Sequence, residues 1–209
     1  MVALAAMGAL AWAGVHALRT EPLNGSAVIA PQDPVSVGLQ VGDLPTSGSL
    51  CEVSGSIERY LQKLQASGSP SYEITQQQWT ALRAKGATVA SVQSFAANYD
   101  DCQARLAERK GPSAISFAIR FRNPAGAVAA FREPFLTLRP APGMILPGLQ
   151  QGEATGLGAN SWMYDQTQQS PSVFATYWAT RTFAVFLFTE QIAAGDARRA
   201  ATGINNRIR

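Results

Sequence analysis

Residues 115–122 run Ile-Ser-Phe-Ala-Ile-Arg-Phe-Arg, and this stretch decides the fold class. Large apolar side chains alternate with small or charged ones, which is the period-two pattern of a β-strand. One face should pack on a core, and the opposite face, with Arg120 and Arg122, should meet water or a partner. The packing residues are Ile115, Phe117, Ile119 and Phe121.

Strand and helix patterns surround this stretch without strict alternation. Further strands are predicted over 35–41, 89–95, 162–164, 174–178 and 183–188, and helices over 53–64, 75–86, 124–135 and 196–208. The strand at 183–188 is apolar on both faces, so it should be central and covered on both sides. The fold class is α+β: an antiparallel sheet of about five to six strands with helices packed against it, plus an N-terminal apolar helix.

Turn and capping residues indicate where these elements begin and end. Thr75 with Gln78 forms a capping-box pattern, and Asn123-Pro124 combines an N-cap residue with a proline at the first helical position. Gly86 suits the position after a helix end. Asp196 can cap the final helix, whose small and apolar residues should pack while its arginines stay outside.

The N-terminal stretch from Val2 to Leu18 is apolar and holds 17 residues without a formal charge. A spanning helix needs about 20 residues, with about 17 as the lower end. Residues 1–19 are therefore predicted to be a signal anchor, or a signal peptide cleaved near Ala17, with a buried core helix as a third reading. Residues 20–34 carry three prolines and no helical period, so they are predicted to be a tether. Residues 35–209 are then an extracytoplasmic domain.

Two cysteines, Cys51 and Cys102, are the only ones in the chain. An even pair in an exported chain is first interpreted as a disulfide, whereas a cytosolic chain would keep two free thiols. Closing a loop of this length would stabilise the fold by roughly 4 kcal/mol on the chain-entropy model.

Several classes of chemistry lack the residues that they need. His16, in the apolar stretch, is the single histidine, so residues 35–209 offer no imidazole for a catalytic triad, a zinc site or a haem ligand. Gly156-Leu157-Gly158 lacks the pattern of a nucleotide loop, and the basic residues are too scattered for nucleic acid. The adjacent Asp100 and Asp101 favour a capped turn beside Cys102 over a two-carboxylate hydrolase. We expect no catalytic residues, cofactor or metal.

Two groups of side chains could form a ligand or partner surface. Trp162, Tyr164 and Trp178 lie on neighbouring predicted strands and could line an apolar groove. The favoured alternative is that they fill the core, because alternation places Tyr177 and Trp178 on opposite faces. Arg120 and Arg122 could dock a partner protein.

The order of these elements resembles that of small secreted or lipid-anchored bacterial domains, such as the extracellular sensor domain of the PknH type. The resemblance covers most of the region from Val35 onward. It includes Asp43-Leu44-Pro45, the Gly156-Leu157-Gly158 turn, an aromatic hairpin through Arg181 and a C-terminal helix ending Asn206-Arg207-Ile208. The chain departs from the lipoproteins in having no lipobox cysteine. The resemblance implies a binding or sensor-like role in the cell envelope, with a protein partner or a small ligand and no catalysis. A structural accessory subunit of a membrane complex is the alternative.

Overall fold

An antiparallel β-sheet of eight strands forms the centre of the structure, a computed structural model that describes residues 32–44, 48–103, 109–133 and 146–208. The compact unit begins at Gln32, so the last three residues of the predicted tether belong to it. The predicted anchor at 1–19 and the rest of the tether lie outside the described residues. Within the described ranges, no helix has the length and apolar character needed to cross a bilayer.

The sheet combines five longer strands with short ones at its margins. Its order is β1-β3-β4-β8-β7-β6-β5, and β2 also pairs with β3. The strands are β1 Ser49–Leu50, β2 Gly55–Ser56, β3 Ala87–Ala96, β4 Ser113–Phe121, β5 Leu149–Gln151, β6 Ser161–Gln166, β7 Val173–Thr180 and β8 Phe183–Glu190. The α+β class is confirmed, but five to six strands was too few, because two- and three-residue strands are too short for an alternating pattern.

The described ranges contain six α-helices, and five of them cover the two faces of this sheet. The six helices are α1 Pro34–Val37, α2 Ile57–Ala66, α3 Ser71–Ala84, α4 Tyr99–Gln103, α5 Pro124–Phe131 and α6 Ala194–Arg207. Helices α2, α3 and α5 pack on one apolar cluster, which includes Phe117 and Phe186. Helices α1 and α6 pack on a second cluster on the opposite face, which includes Trp178 and Val185. The sheet is therefore the middle layer of three.

The strand predicted over 35–41 is wrong. Asp33 accepts a hydrogen bond from the Val35 amide and Pro34 occupies the first helical turn, so these residues form α1, followed by a 3-10 turn at Val41–Asp43. A capping side chain followed by proline is a strong helix start, and here it outweighs four alternating apolar residues. Only Val37 and Leu39 of that set are buried, whereas Val35 and Val41 are half exposed.

The predicted solvent face of β4 is also wrong. Ser116 and Ala118 are completely buried, because α1 and the residues after it lie across this face together with α6. Arg120 is half-buried and Arg122, just beyond the strand, is exposed. The alternation of β4 therefore separates large apolar side chains on one face from smaller or more polar side chains on the other, and both faces are packed.

Elsewhere the predicted boundaries differ from the observed ones mainly at three helix starts and at the end of α5, which was predicted at residue 135 and lies at Phe131. The cap at Asn123, the turn at Gly86, and the central, doubly covered position of β8 are confirmed. The helix predicted from residue 53 begins at Ile57, and α3 begins at Ser71 rather than at Thr75, which is buried inside it. Asp196 does not cap α6; it lies in the first turn and pairs with Arg199.

Candidate functional site

The first candidate site is the place where the chain enters the folded unit. The main-chain oxygen of Gln32 accepts a hydrogen bond from Nη1 of Arg120 at 2.9 Å, and its side-chain amide donates to the Arg207 carbonyl. Arg120 extends from β4 and Arg207 ends α6. Both the sheet and the C-terminal helix therefore hold the first residue of the unit.

Arg207 binds the following turn through four hydrogen bonds. Nη1 and Nη2 each donate to one carboxylate oxygen of Asp43, at 2.8 and 2.7 Å. Nη2 and Nε also donate to the carbonyl oxygens of Gly38 and Val37, at 2.8 and 3.1 Å. Such a bidentate, charge-assisted pair combines strength with a fixed geometry. We call Arg207, Asp43 and the two bonded carbonyl groups the junction clamp.

Buried polar bonds attach the same segment to the sheet beneath it. The Leu39 amide donates to Oγ of Ser116 at 3.1 Å, and that hydroxyl donates to Oε1 of Gln93 at 3.3 Å. Nε2 of Gln93 donates to the Val35 carbonyl. A Cβ atom added at Gly38 would lie 1.9 Å from Oε1 of Gln93, so glycine permits this close approach.

The second candidate site, the polar end, lies where β3 and β8 finish and β4 begins. The predicted disulfide is present here: Cys51, after β1, is bonded to Cys102 in α4. The Cys51 amide also donates to the Ser94 carbonyl at 2.8 Å. The disulfide and this hydrogen bond hold the segment after β1 and helix α4 against the end of β3.

Arg109 is the central charge of the polar end and is buried. Nη1 donates to the Phe95 carbonyl at 3.0 Å and Nη2 donates to Oγ of Ser94 at 3.1 Å. Burial lowers the pKa of the guanidinium, although Tyr60, Asp101 and Glu190 oppose this effect. Its position therefore helps to satisfy main-chain groups at the strand end.

Glu190 and Tyr60 lie in the field of this guanidinium. Burial raises the pKa of the Glu190 carboxyl, and the charge of Arg109 offsets part of that rise. Burial likewise raises the pKa of the Tyr60 hydroxyl, again with Arg109 acting in the opposite direction. Glu190 pairs in register with Ser113 of β4. The result is a group of buried polar residues at one end of the α2, α3 and α5 face.

Asp100 and Asp101 differ in role despite being adjacent. Asp101 is buried; Oδ2 accepts from the Asn98 side chain at 3.0 Å, and Oδ1 accepts from the Lys110 amide at 3.2 Å. Asp100 is exposed. Asp101 therefore fixes the turn beside Cys102, as the sequence favoured, and its carboxylate is occupied by these two donors.

One small cavity lies inside the described part of the chain. It is apolar, lies beneath α2 and α3 and is lined by residues that include Ile57, Trp79 and Phe117. It has room for about one water molecule, far less than the several hundred Å³ of typical ligand sites. The described residues contain no group of three histidine, cysteine or carboxylate side chains that could hold a metal ion.

The aromatic residues of the predicted surface do not meet on one surface. Trp162 is 3% exposed and lies in the cluster under α2, α3 and α5, in ring contact with Tyr177. Trp178 is 0% exposed on the other face, where its Nε1 donates to Oδ1 of Asn205 in α6. Tyr164 is half-buried beside the first cluster. Alternation does place Tyr177 and Trp178 on opposite faces, and the two tryptophans fill the core.

Arg120 and Arg122 lie near each other at the end of β4, but they make different contacts. Arg120 holds Gln32 and contacts the Thr88 hydroxyl, whereas Arg122 is exposed and its amide bonds to the Gly86 carbonyl. The sequence did not single out Arg109 or Arg207. An arginine in the last turn of a helix and a single aspartate in a turn far away in the chain give no pairing signal without the fold.

No protein-family model matches this chain, and no curated protein sequence is similar to it. The resemblance to the PknH-type sensor domain therefore stays a prediction.

Proposed function

We propose that this chain is a non-catalytic binding or sensor-like module on the extracytoplasmic side of a membrane, anchored by residues 1–19 through the tether at 20–34. The observation that carries the proposal is the Cys51–Cys102 disulfide. Disulfides persist in oxidising compartments outside the cytoplasm and are rare inside it. The apolar stretch 2–18 supplies the route across the membrane, as an anchor or as a signal peptide.

The junction clamp favours a tether over a free N-terminal tail. Terminal residues of a domain are usually poorly ordered unless something holds them. Here Arg120 and Arg207 bond the first residue of the folded unit, and Arg207 bonds the turn at Asp43. A domain attached to a membrane through its N-terminus requires such hydrogen bonds, because any movement of the tether pulls on the first residues of the folded unit.

The absence of catalysis is inferred from the state of the polar groups. The described domain has no histidine. Arg109 and Asp101, which are buried ionisable groups, are bonded to main-chain atoms of their own fold. Groups held in this way stabilise the fold. They are poorly placed for proton transfer, because a catalytic base must lie within hydrogen-bond distance of the substrate proton.

The proposal is tested by fractionating cells that produce the chain with a C-terminal tag. We expect the chain to remain in the membrane fraction after carbonate washing, to retain residues 1–19 by intact mass, and to be cleaved by protease added outside the cytoplasmic membrane. Its thiols should resist alkylation until a reductant is added, with Cys51→Ala as the control that exposes Cys102. A soluble chain with free thiols in the cytoplasm would refute the proposal. A mass beginning after Ala17 would indicate the secreted form instead.

A structural accessory subunit of a membrane complex is the second candidate. The observation in its favour is that Arg122, one of the two arginines predicted to dock a partner, is exposed just beyond β4. Native gels after mild detergent extraction distinguish the two functions. A defined larger complex would favour the subunit, whereas a monomer would exclude it.

A further inference from the structure

One end of the sheet carries a group of basic residues from the end of α3 and the turn after it, from the end of β4, and from the turn between β7 and β8. Arg83 and Lys85 precede β3, Arg122 follows β4, and Arg181 lies in the turn between β7 and β8. The turns are adjacent, because the Arg122 amide donates to the Gly86 carbonyl at 3.0 Å and the Phe121 amide donates to the Thr182 carbonyl at 2.7 Å. We call these four residues the basic end.

Three of these four cations have no ion-pair partner among the residues that the structure describes. Lys85 lies 3.4 Å from the Glu133 carboxylate. Arg83, Arg122 and Arg181 are exposed, and no carboxylate oxygen in the described ranges lies within 4.0 Å of their guanidinium groups. Among the exposed cations elsewhere, Lys63 and Arg199 each pair with a carboxylate, whereas Lys110 has no carboxylate oxygen within 4.0 Å in the described ranges. The basic end is thus a local excess of positive charge on a chain whose formal charge is only +3.

The chain enters the folded unit at the same end. Arg120, one residue before the end of β4, holds the carbonyl of Gln32. Residues 20–31 can span at most about 40 Å when fully extended. A tether that starts at a membrane therefore keeps the basic end close to that surface, which raises its effective concentration there.

We propose that the basic end docks on the anionic phosphate headgroups of the membrane that holds the tether. This rests on the proposed tethered function. Guanidinium groups bind phosphate oxygens in a bidentate manner and are less strongly hydrated than ammonium groups, so arginine suits this contact. Each basic residue near an anionic bilayer strengthens binding about fivefold, and salt weakens the attraction over a distance of about 10 Å.

The test uses the full chain in nanodiscs of phosphatidylcholine, with or without phosphatidylglycerol, and measures amide hydrogen exchange. We expect exchange in the turns around Lys85, Arg122 and Arg181 to slow in the phosphatidylglycerol discs, and high salt to reverse the effect. The variant Arg83→Gln/Arg122→Gln/Arg181→Gln should lose this protection, because removing three basic residues weakens binding to the anionic headgroups about 100-fold. The matched control Lys63→Gln/Lys110→Gln/Arg199→Gln changes the net charge equally and should keep it.

The outcomes separate this inference from the tether itself. A chain that inserts in both kinds of disc but exchanges identically in them overturns the docking and leaves the tether intact. Equal loss of protection in the triple variant and its matched control also overturns it, since net charge alone would then be responsible. A chain that does not insert refutes the tether, and co-flotation with phosphatidylglycerol vesicles then decides the docking: binding that the triple variant loses supports it, and no binding overturns it.

Discussion

Breaking the junction clamp should destabilise the protein by an amount that a double-mutant cycle can assign to one ion pair. The variants are Arg207→Ala, Asp43→Ala and the combination. Arg207 makes four hydrogen bonds, two of them to the Asp43 carboxylate, and the two side chains are 25% and 12% exposed. Hydrogen bonds to charged groups contribute about 1.5–3 kcal/mol each when buried. Because this pair is partly solvated, we expect a coupling free energy of about 2 kcal/mol.

The single change Arg207→Ala should cost about 3 kcal/mol, because it also leaves the carbonyl groups of Val37 and Gly38 without this donor. Urea unfolding of the four proteins gives the coupling, and thermal melts should show a fall of about 6–12 °C for this variant. The exposed pair Arg199–Asp196 is the control, for which the same cycle should give less than about 1 kcal/mol. A clamp coupling no larger than that of the control would refute our account of how the chain enters the domain.

Three further changes test other parts of the structure. Replacing Cys51 and Cys102 by alanine opens a loop with a sequence separation of 51 residues and should cost about 4 kcal/mol in urea unfolding; a reduced wild-type protein as stable as the oxidised one would contradict this. Glu190→Gln should stabilise the protein at pH 7, because burial raises the pKa of this carboxyl above 4.5 and the folded state therefore binds its proton more tightly than the unfolded chain. That advantage should vanish in melts taken well below pH 4.5, and an advantage that persists there would point to packing instead. Gly38→Ala should cost about 1–3 kcal/mol by displacing the amide of Gln93, and Gln93→Ala in the same chain should recover part of the loss, which chemical denaturation measures.

The core strands could be predicted from sequence because their patterns are long. The nine residues of β4 and the eight of β8 carry enough apolar side chains to identify a strand and, for β8, a central position. The helix end at Gly86 and the cap at Asn123 were predictable because each depends on local chemistry. Gly86 adopts a left-handed φ of 94°, and the Asn123 side chain accepts a hydrogen bond from a main-chain amide.

The segment from Asp33 to Asp43 shows where such reasoning fails. Its apolar alternation gives the wrong structure because Asp33-Pro34 starts a helix, and because Leu39 is placed by Ser116, a residue far along the chain. The junction clamp depends on Asp43 and Arg207, which are separated by 164 positions. Only the folded chain brings them together, so no local pattern could have identified them.

The covering of both sheet faces limits where this domain can make contacts with other molecules. Helices α2, α3 and α5 bury one face of the central strands, and α1 and α6 bury the other. The side chains of Trp162 and Trp178 therefore lie in the core and do not form a contact surface. The ends and the edges of the sheet remain, and the two ends differ in chemistry. At the polar end, the charge of Arg109 is bonded inward to the main chain, whereas at the basic end Arg122 and Arg181 point their charge to solvent. Since the chain also enters at the basic end, the exposed charge and the residue at which the proposed tether joins the domain lie at the same end, as the proposed docking on a membrane surface requires.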